Sequence, residues 1–371
     1  MHKADIARPL GQAMLALATL IMAGCGTDQA SSVSSLPPKA LDQPLELPSP
    51  KGTRERHLVT ILAANEGTET TDIIVPFGVL KASGQMDVVT VSTRPGLVEL
   101  HPALRMWADQ SIAAFDADQP EGADIVIVPA LHHHDDPAAV QWLQQQAEKG
   151  AVIVGICDGV LTLAHAGLLR EKMATGHWFT LGRLGRRYPD TTWVRDRRYV
   201  IDGQLVTTTG VSASLPVSLA LVEAVAGEIE AERLATELGV SDTGASHDSS
   251  GYGLSAGLIL NMAYNGLAFW KRERLELPVE NGVDEIALAL TADAWSRTLR
   301  ASFAVTHPSE PQVLSKRGLL LGAAPSDGRS VLVQPPEEPP AAALDQALYG
   351  IEERYGARTA SSVAAQLEYA W

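Results

Sequence analysis

The sequence predicts an α/β fold built on a parallel sheet, and three observations carry that prediction. Short apolar runs recur, among them Leu58-Val-Thr-Ile-Leu-Ala-Ala64, Ala123 to Pro129 and Ala151-Val-Ile-Val-Gly-Ile156, and helix-like stretches separate them. The runs are nearly continuous in Val and Ile rather than alternating, the pattern of strands covered on both faces. The run ending at Ile156 also passes through Cys157 directly into the helix-like stretch Asp158 to Leu169, a strand-to-helix turn with a thiol at its apex.

Residues 1–25 read as a lipoprotein signal peptide: Lys3 and Arg8 supply positive charge, Leu10 to Ala23 is apolar, and Met22-Ala-Gly-Cys25 forms a lipobox. The apolar stretch is short for a membrane span of about 20 residues, so cleavage before Cys25 and its lipidation are expected. Gly26 gives no aspartate signal for inner-membrane retention, so an outer-membrane anchor facing the periplasm is expected. Residues 26–56, rich in Ser, Pro, Lys and Glu without hydrophobic periodicity, read as a disordered tether.

The first domain is expected over 57–239. Its strands are expected at 58–64, 86–92, 123–129 and 151–157, its helices at 71–83, 137–149 and 158–169. A strand pair around 193–208 and a closing helix over 215–226 complete it. Residues 240–282, opening on the Ser/Asp/Gly-rich stretch Ser241 to Tyr252, read as a linker. In the smaller C-terminal α/β region, 283–371, Val283 to Leu290 resembles Thr71 to Gly78, and Arg300 to Thr306 resembles Asp87 to Ser92. Ser330 to Pro336 with the helix 341–355 resembles the 125–129 strand and its helix. A truncated second copy lacking an elbow is therefore expected, acting as an internal pseudo-dimer where a homodimer would otherwise form.

The string Gly155-Ile-Cys-Asp-Gly159 has the small-x-nucleophile-x-small form of a nucleophile elbow, where glycines relieve a strained turn. A helix N-terminus there favours thiolate over thiol. With Cys25 lipidated, Cys157 has no partner in the chain, and an unpaired thiol in an oxidising compartment is either buried or used. His177, in Ala174-Thr-Gly-His-Trp178, is a histidine that can approach the sulfur in space. Leu131 to Asp136 should lie at the carboxyl end of a strand, where ligands gather in such sheets. The run His132-His-His-Asp-Asp136 reads as a polar rim rather than a metal site, because adjacent loop side chains seldom converge on one ion, and no cofactor is expected. Asp158 either raises the thiol pKa or binds a substrate amine or cation. A net charge of −15 without long acidic runs reads as solvated surface and argues against a nucleic-acid partner.

Residues 57–228 resemble the DJ/PfpI superfamily, the cysteine-elbow branch of the class I glutamine amidotransferase-like fold. The resemblance rests on Gly155-Ile-Cys-Asp-Gly159 with Leu163 to Leu169, on Ala174 to Trp178, and on Thr208-Thr-Gly-Val-Ser-Ala-Ser214 with Leu219 to Glu223. It is strongest toward the amidase-type domains of AraC-type regulators, although no helix-turn-helix pattern follows here. The resemblance implies a flavodoxin-like doubly wound sheet. It also implies Cys157 as nucleophile, Asp72 as the acid contacting it and His177 in the pocket; around that pocket, ligand contacts are expected at Leu131, His132, Asp158 and Gly210. Members often carry a glycine pair after the third strand; Pro129-Ala-Leu131 stands here instead, leaving the amides of Leu131, Cys157 and Asp158 to meet an oxyanion. The expected activity is a cysteine-dependent hydrolase, amidase or hydratase acting on a small molecule in the cell envelope. The alternative is a non-catalytic redox or ligand sensor.

Overall fold

The computed structural model describes residues 44–326, 328, 330–333 and 339–371, so the signal peptide, Cys25 and most of the tether lie outside the described residues. The first half begins with β1 (Leu58–Ala63) and the short β2 (Thr68–Glu69), which leads into α1 (Thr70–Ser83) and back to β3 (Asp87–Ser92). The hairpin β4 (Leu97–His101) and β5 (Arg105–Trp107), then β6 (Gln110–Ser111) and α2 (Ile112–Asp118), precede β7 (Ile125–Val128). There follow α3 (Pro137–Glu148), β8 (Val152–Gly155), α4 (Gly159–His165), β9 (Met173–Ala174) and α5 (Trp178–Arg187). The half closes with β10 (Thr192–Trp193), β11 (Tyr199–Asp202), β12 (Leu205–Thr208), α6 (Ser214–Ala226) and α7 (Glu228–Leu238).

Seven strands form one sheet in the order β11-β12-β8-β7-β1-β3-β6. All neighbours are parallel except the β11–β12 hairpin. β1, β7 and β8 are buried along their whole length, which is why their sequences carry no polar alternation. Local chemistry sets the helix ends. Asp136 accepts from the amides of Ala138 and Ala139, with Pro137 opening α3, while Gly84, at φ 63°, ends α1 in the left-handed conformation.

The second half comprises α8 (Ala256–Leu267), β13 (Glu273–Pro278), α9 (Glu285–Ser296), β14 (Ala301–Thr306), β15 (Gln312–Leu314) and β16 (Leu320–Gly322). It ends with β17 (Val331–Leu332), α10 (Ala343–Tyr355) and α11 (Ala357–Leu367). The segment 240–282 is thus more than a linker, since α8 and the central strand β13 lie within it. β13 runs parallel to both β14 and β17, as β1 runs parallel to both β3 and β7. The helices after β1 and β13 begin at Thr70 and Glu285, capped by Glu69 and Asp284. Asp284 therefore stands where Glu69 stands, three positions from the register in which it would match Asp72.

The halves share one core. α9 packs on α1, and Ile73, Phe77, Ile286, Leu290 and Leu348 belong to a single buried cluster. A Cβ at Gly78 would stand 2.4 Å from Ile286 Cγ1, so that crossing needs glycine. The β4–β5 hairpin also pairs antiparallel with β16, joining the halves in a second, five-stranded sheet. Apolar on nearly every face, α1 is buried between the main sheet and α9.

Candidate active site

Cys157 sits between β8 and α4 at φ 52°, a left-handed conformation that costs a non-glycine residue roughly 1–3 kcal/mol and persists only where the surroundings impose it. The surroundings are tight: a Cβ on Gly159 would stand 2.0 Å from the Val128 carbonyl oxygen, and one on Gly155 would stand 2.9 Å from Leu163 Cδ2. The Cys157 amide donates to Thr208 Oγ1 at 3.0 Å, pinning the elbow to the neighbouring strand. That amide is thereby engaged and is not a free oxyanion donor. Only 7 % of Cys157 is exposed, and it has no disulfide partner.

Asp72 lies in the first turn of α1 and is fully buried. Its Oδ2 accepts the Ala130 amide at 3.1 Å, while Oδ1 has no hydrogen-bond partner. A buried, half-satisfied carboxylate is costly, and such groups concentrate where proton transfer is needed. Burial raises the Asp72 carboxyl to about 7.

Around it stands a cluster absent from the sequence-based candidates. Glu69 Oε2 accepts the Asp72 amide at 2.6 Å and the Thr71 hydroxyl at 2.9 Å. From the second half, Arg297 donates to Glu69 Oε1 at 2.7 Å and to Asp293 Oδ1 at 2.7 Å. One guanidinium thus pairs with two carboxylates, and Glu69 links it to Asp72. Burial, then the nearby Asp72 charge, lifts Glu69 to about 7, and burial pushes Asp293 well above the usual carboxylate range.

The same surroundings overturn the expected thiolate. Burial raises the Cys157 thiol well above its ordinary value, and the charges of Asp72, Asp158 and Glu69 raise it further. A hydrogen bond from the Asp158 amide acts the other way but is the smallest of these influences. The helix N-terminus that favours thiolate in sequence is outweighed by desolvation beside carboxylates.

His177 caps α5: its Nδ1 accepts the Phe179 amide at 3.4 Å, and its Nε2 is paired with the Gln366 carbonyl at 3.2 Å. Both nitrogens are engaged away from the sulfur. Asp158 accepts the Thr180 hydroxyl at 2.5 Å, tying the elbow to α5. Leu131 is buried and bridges Thr68, while the His132 amide donates to the Gly67 carbonyl at 2.9 Å. The histidine run diverges, His132 facing His101 at 5.4 Å between ring centroids and His134 facing His165 at 5.0 Å. Gly210 donates its amide to Glu368 Oε2 at 2.8 Å. Among the described residues no group of three or more His, Cys, Asp or Glu could hold a metal ion.

Fold and site together define an α/β domain with a buried cysteine elbow and, within electrostatic reach of it, a buried acid at the start of the first long helix. Residues 57–224 match the DJ-1/PfpI family, a stretch that contains Cys157, Asp72 and all seven strands of the main sheet. The HTH-type transcriptional regulator CdhR of Pseudomonas aeruginosa is 37 % identical over 86 residues, 23 % of this chain and 25 % of that protein. Isonitrile hydratase of Pseudomonas putida is 31 % identical over 110 residues, 28 % of this chain and 44 % of that one. The matched stretches thus span less than half the length of either relative. Drosophila melanogaster DJ-1beta is 24 % identical over 177 residues, covering 46 % of this chain and 91 % of that protein. Its crystal structure aligns with a TM-score of 0.46 at 23 % identity, covering 50 % and 100 % of the two chains.

Proposed function

We propose that this protein is a cysteine-dependent enzyme of the hydratase or hydrolase kind, with Cys157 as nucleophile and Asp72 as the group that carries its proton. The observation behind this reading is that a strained, buried thiol lies within electrostatic reach of a buried carboxyl lifted to about 7. A thiol held well above its ordinary pKa is unreactive until its proton leaves, so a neighbouring carboxylate must take that proton as sulfur attacks.

This favours substrates that accept both sulfur and proton, and hydration of an isonitrile, the substrate in the name of the Pseudomonas putida relative, has that form. Cys157 Sγ bonds to the terminal carbon while Asp72 accepts the thiol proton and returns it to the same carbon, giving the thioimidate R–N=CH–S–Cys157. Water adds to that carbon, the C–S bond breaks, the sulfur regains a proton through Asp72, and the formamide R–NH–CHO leaves. Amide hydrolysis would use the same pair but must also expel an amine. A redox sensor needs an accessible, low-pKa thiol, and the burial and raised pKa of Cys157 weigh against that alternative.

The lipobox Met22-Ala-Gly-Cys25 supports a lipid anchor and a place in the cell envelope. Labelled fatty acid should enter the wild-type protein in cells and not Cys25→Ala.

For the activity, the test is a panel of small isonitriles and amides offered to wild type, Cys157→Ser and Asp72→Asn. Formamide formation by wild type, reduced at least about 10²-fold in both variants, is expected. Equal turnover in Cys157→Ser would remove the proposal.

A further inference from the structure

At the edge of the sheet beside the elbow, a carboxylate from the far end of the chain lies buried in a cradle that none of the chemistry above uses. Glu368, 1 % exposed, follows α11 in the left-handed conformation at φ 55°. Its Oε2 accepts the Gly210 amide at 2.8 Å and the Trp178 amide at 3.4 Å, and its Oε1 lies 3.1 Å from His247 Nε2. The three donors come from three separate segments. Trp178 opens the ten-residue α5, whose N-terminal dipole favours an anion. Gly210 has to be glycine, because a Cβ there would stand 2.6 Å from Glu368 Cβ and 2.9 Å from its Oε2.

The cradle adjoins the nucleophile through the backbone. Gly210 lies two residues beyond Thr208, whose hydroxyl holds the Cys157 amide. His177, the histidine expected in the pocket, lies against the same glycine. Next to the carboxylate opens a cavity of about 360 Å³, with Val211, Leu215, Leu290 and Leu344 among its apolar lining residues and His247 and Glu368 among its polar ones. Arg198, Asp242 and Asp345 also line this cavity, so it is mixed in character, and an anion hole beside it fits a small organic acid with its carboxylate on the three donors and its apolar body against Val211, Leu215, Leu290 and Leu344.

We propose that the Gly210–Trp178–His247 cradle is a binding subsite for a small carboxylate ligand, filled in this structure by the chain's own Glu368. A tethered carboxylate is presented at an effective concentration of about millimolar or more, so it excludes weakly binding acids until it is displaced. The segment itself is anchored independently of that carboxylate, by Val363 and Leu367 in the shared core, by the Tyr369 hydroxyl on Asp345 and by bonds from Trp178 Nε1, His177 Nε2 and Ser212 Oγ to its carbonyls, so an incoming acid has to displace only the Glu368 side chain.

The test uses butyrate and its neutral isostere butyramide, titrated by calorimetry into the full chain carrying Cys157→Ser, with and without Glu368→Ala. Because this reads binding and not turnover, it stands whatever becomes of the proposed activity. Butyrate should bind the Glu368→Ala chain at least tenfold more tightly than the chain with Glu368, and butyramide should bind neither. Equal butyrate binding in both chains, or butyramide binding as well as butyrate, would overturn the proposal. Should Glu368→Ala fail to fold, Glu368→Gln carries the same comparison, its neutral amide being a weaker occupant of an anion cradle. In chains with Cys157 intact, the ratio of alkylation by iodoacetate to that by iodoacetamide should rise in the Glu368 variant; an unchanged ratio contradicts a subsite beside the thiol.

Discussion

Arg297 Nη2 lies 2.7 Å from Glu69 Oε1, an ion pair between residues 228 positions apart that ties the second half of the chain to the first turn of α1. Since Glu69 also holds the Asp72 amide, the guanidinium reaches the candidate proton carrier through one intermediary. The second half therefore supplies part of the electrostatic setting of the elbow, although it carries no cysteine of its own.

Arg297→Leu should leave Glu69 and Asp293 without their counter-ion. About a fifth of the Arg297 side chain reaches solvent, so the cost is expected near the low end for a broken buried pair, about 2–4 kcal/mol at pH 8. The deficit should shrink at pH 5, where Glu69, lifted by burial to about 7, holds its proton in the folded state and has less need of a counter-ion. Chemical denaturation of both proteins at the two pH values checks this.

Asp72 gives a sign that can be read directly. Its folded pKa of about 7 lies above its ordinary 3.8, so between those values the native state binds more protons than the unfolded one, and stability is lost as pH rises through that window. Wild type should therefore lose stability from pH 4 to pH 7. Asp72→Asn should lose less, and at pH 8 it should be at least as stable as wild type while being inactive. Thermal melts across that range test it, and a variant less stable than wild type at pH 8 would count against a strained, functional carboxylate.

Gly159→Ala is expected to cost about 2–3 kcal/mol and to disturb the elbow, because its Cβ would overlap the Val128 carbonyl oxygen. Gly150→Ala, at a positive φ that Gly159 does not share but with open space around it, should cost only about 1 kcal/mol. A Gly159→Ala loss no larger than that of Gly150→Ala, measured in urea, would show that crowding against the Val128 carbonyl does not govern Gly159.

Much of the first half was legible because its signals are local. Val/Ile runs and intervening helices marked the sheet, and Gly155 and Gly159 marked the elbow by their spacing around Cys157. Asp72 was legible only through the resemblance to the DJ/PfpI superfamily, since a carboxylate at a helix start is otherwise an ordinary dipole partner. Glu69, Asp293 and Arg297 were not, since nothing local distinguishes a buried ion pair from surface charges until α9 is known to cross α1. The reversed thiol pKa is a tertiary effect too: a helix N-terminus shows in sequence, whereas burial beside Asp72 and Glu69 does not. Residues 240–282 read as linker because of their Ser/Asp/Gly opening. The helix within them leaves Leu260 and Leu267 exposed, so it gives a weak amphipathic signal.

The most direct measurement is the rate of Cys157 alkylation by iodoacetamide from pH 6 to pH 10 in wild type and Asp72→Asn, using protein without residues 1–25. Wild type should react slowly at neutrality and still accelerate above pH 9, since burial and the Asp72 charge hold the thiol up. Asp72→Asn, with that charge removed, should react faster at pH 8 to 9. A thiol that titrates below about 8.5, or two superimposable profiles, would contradict a proton-coupled Cys157–Asp72 pair.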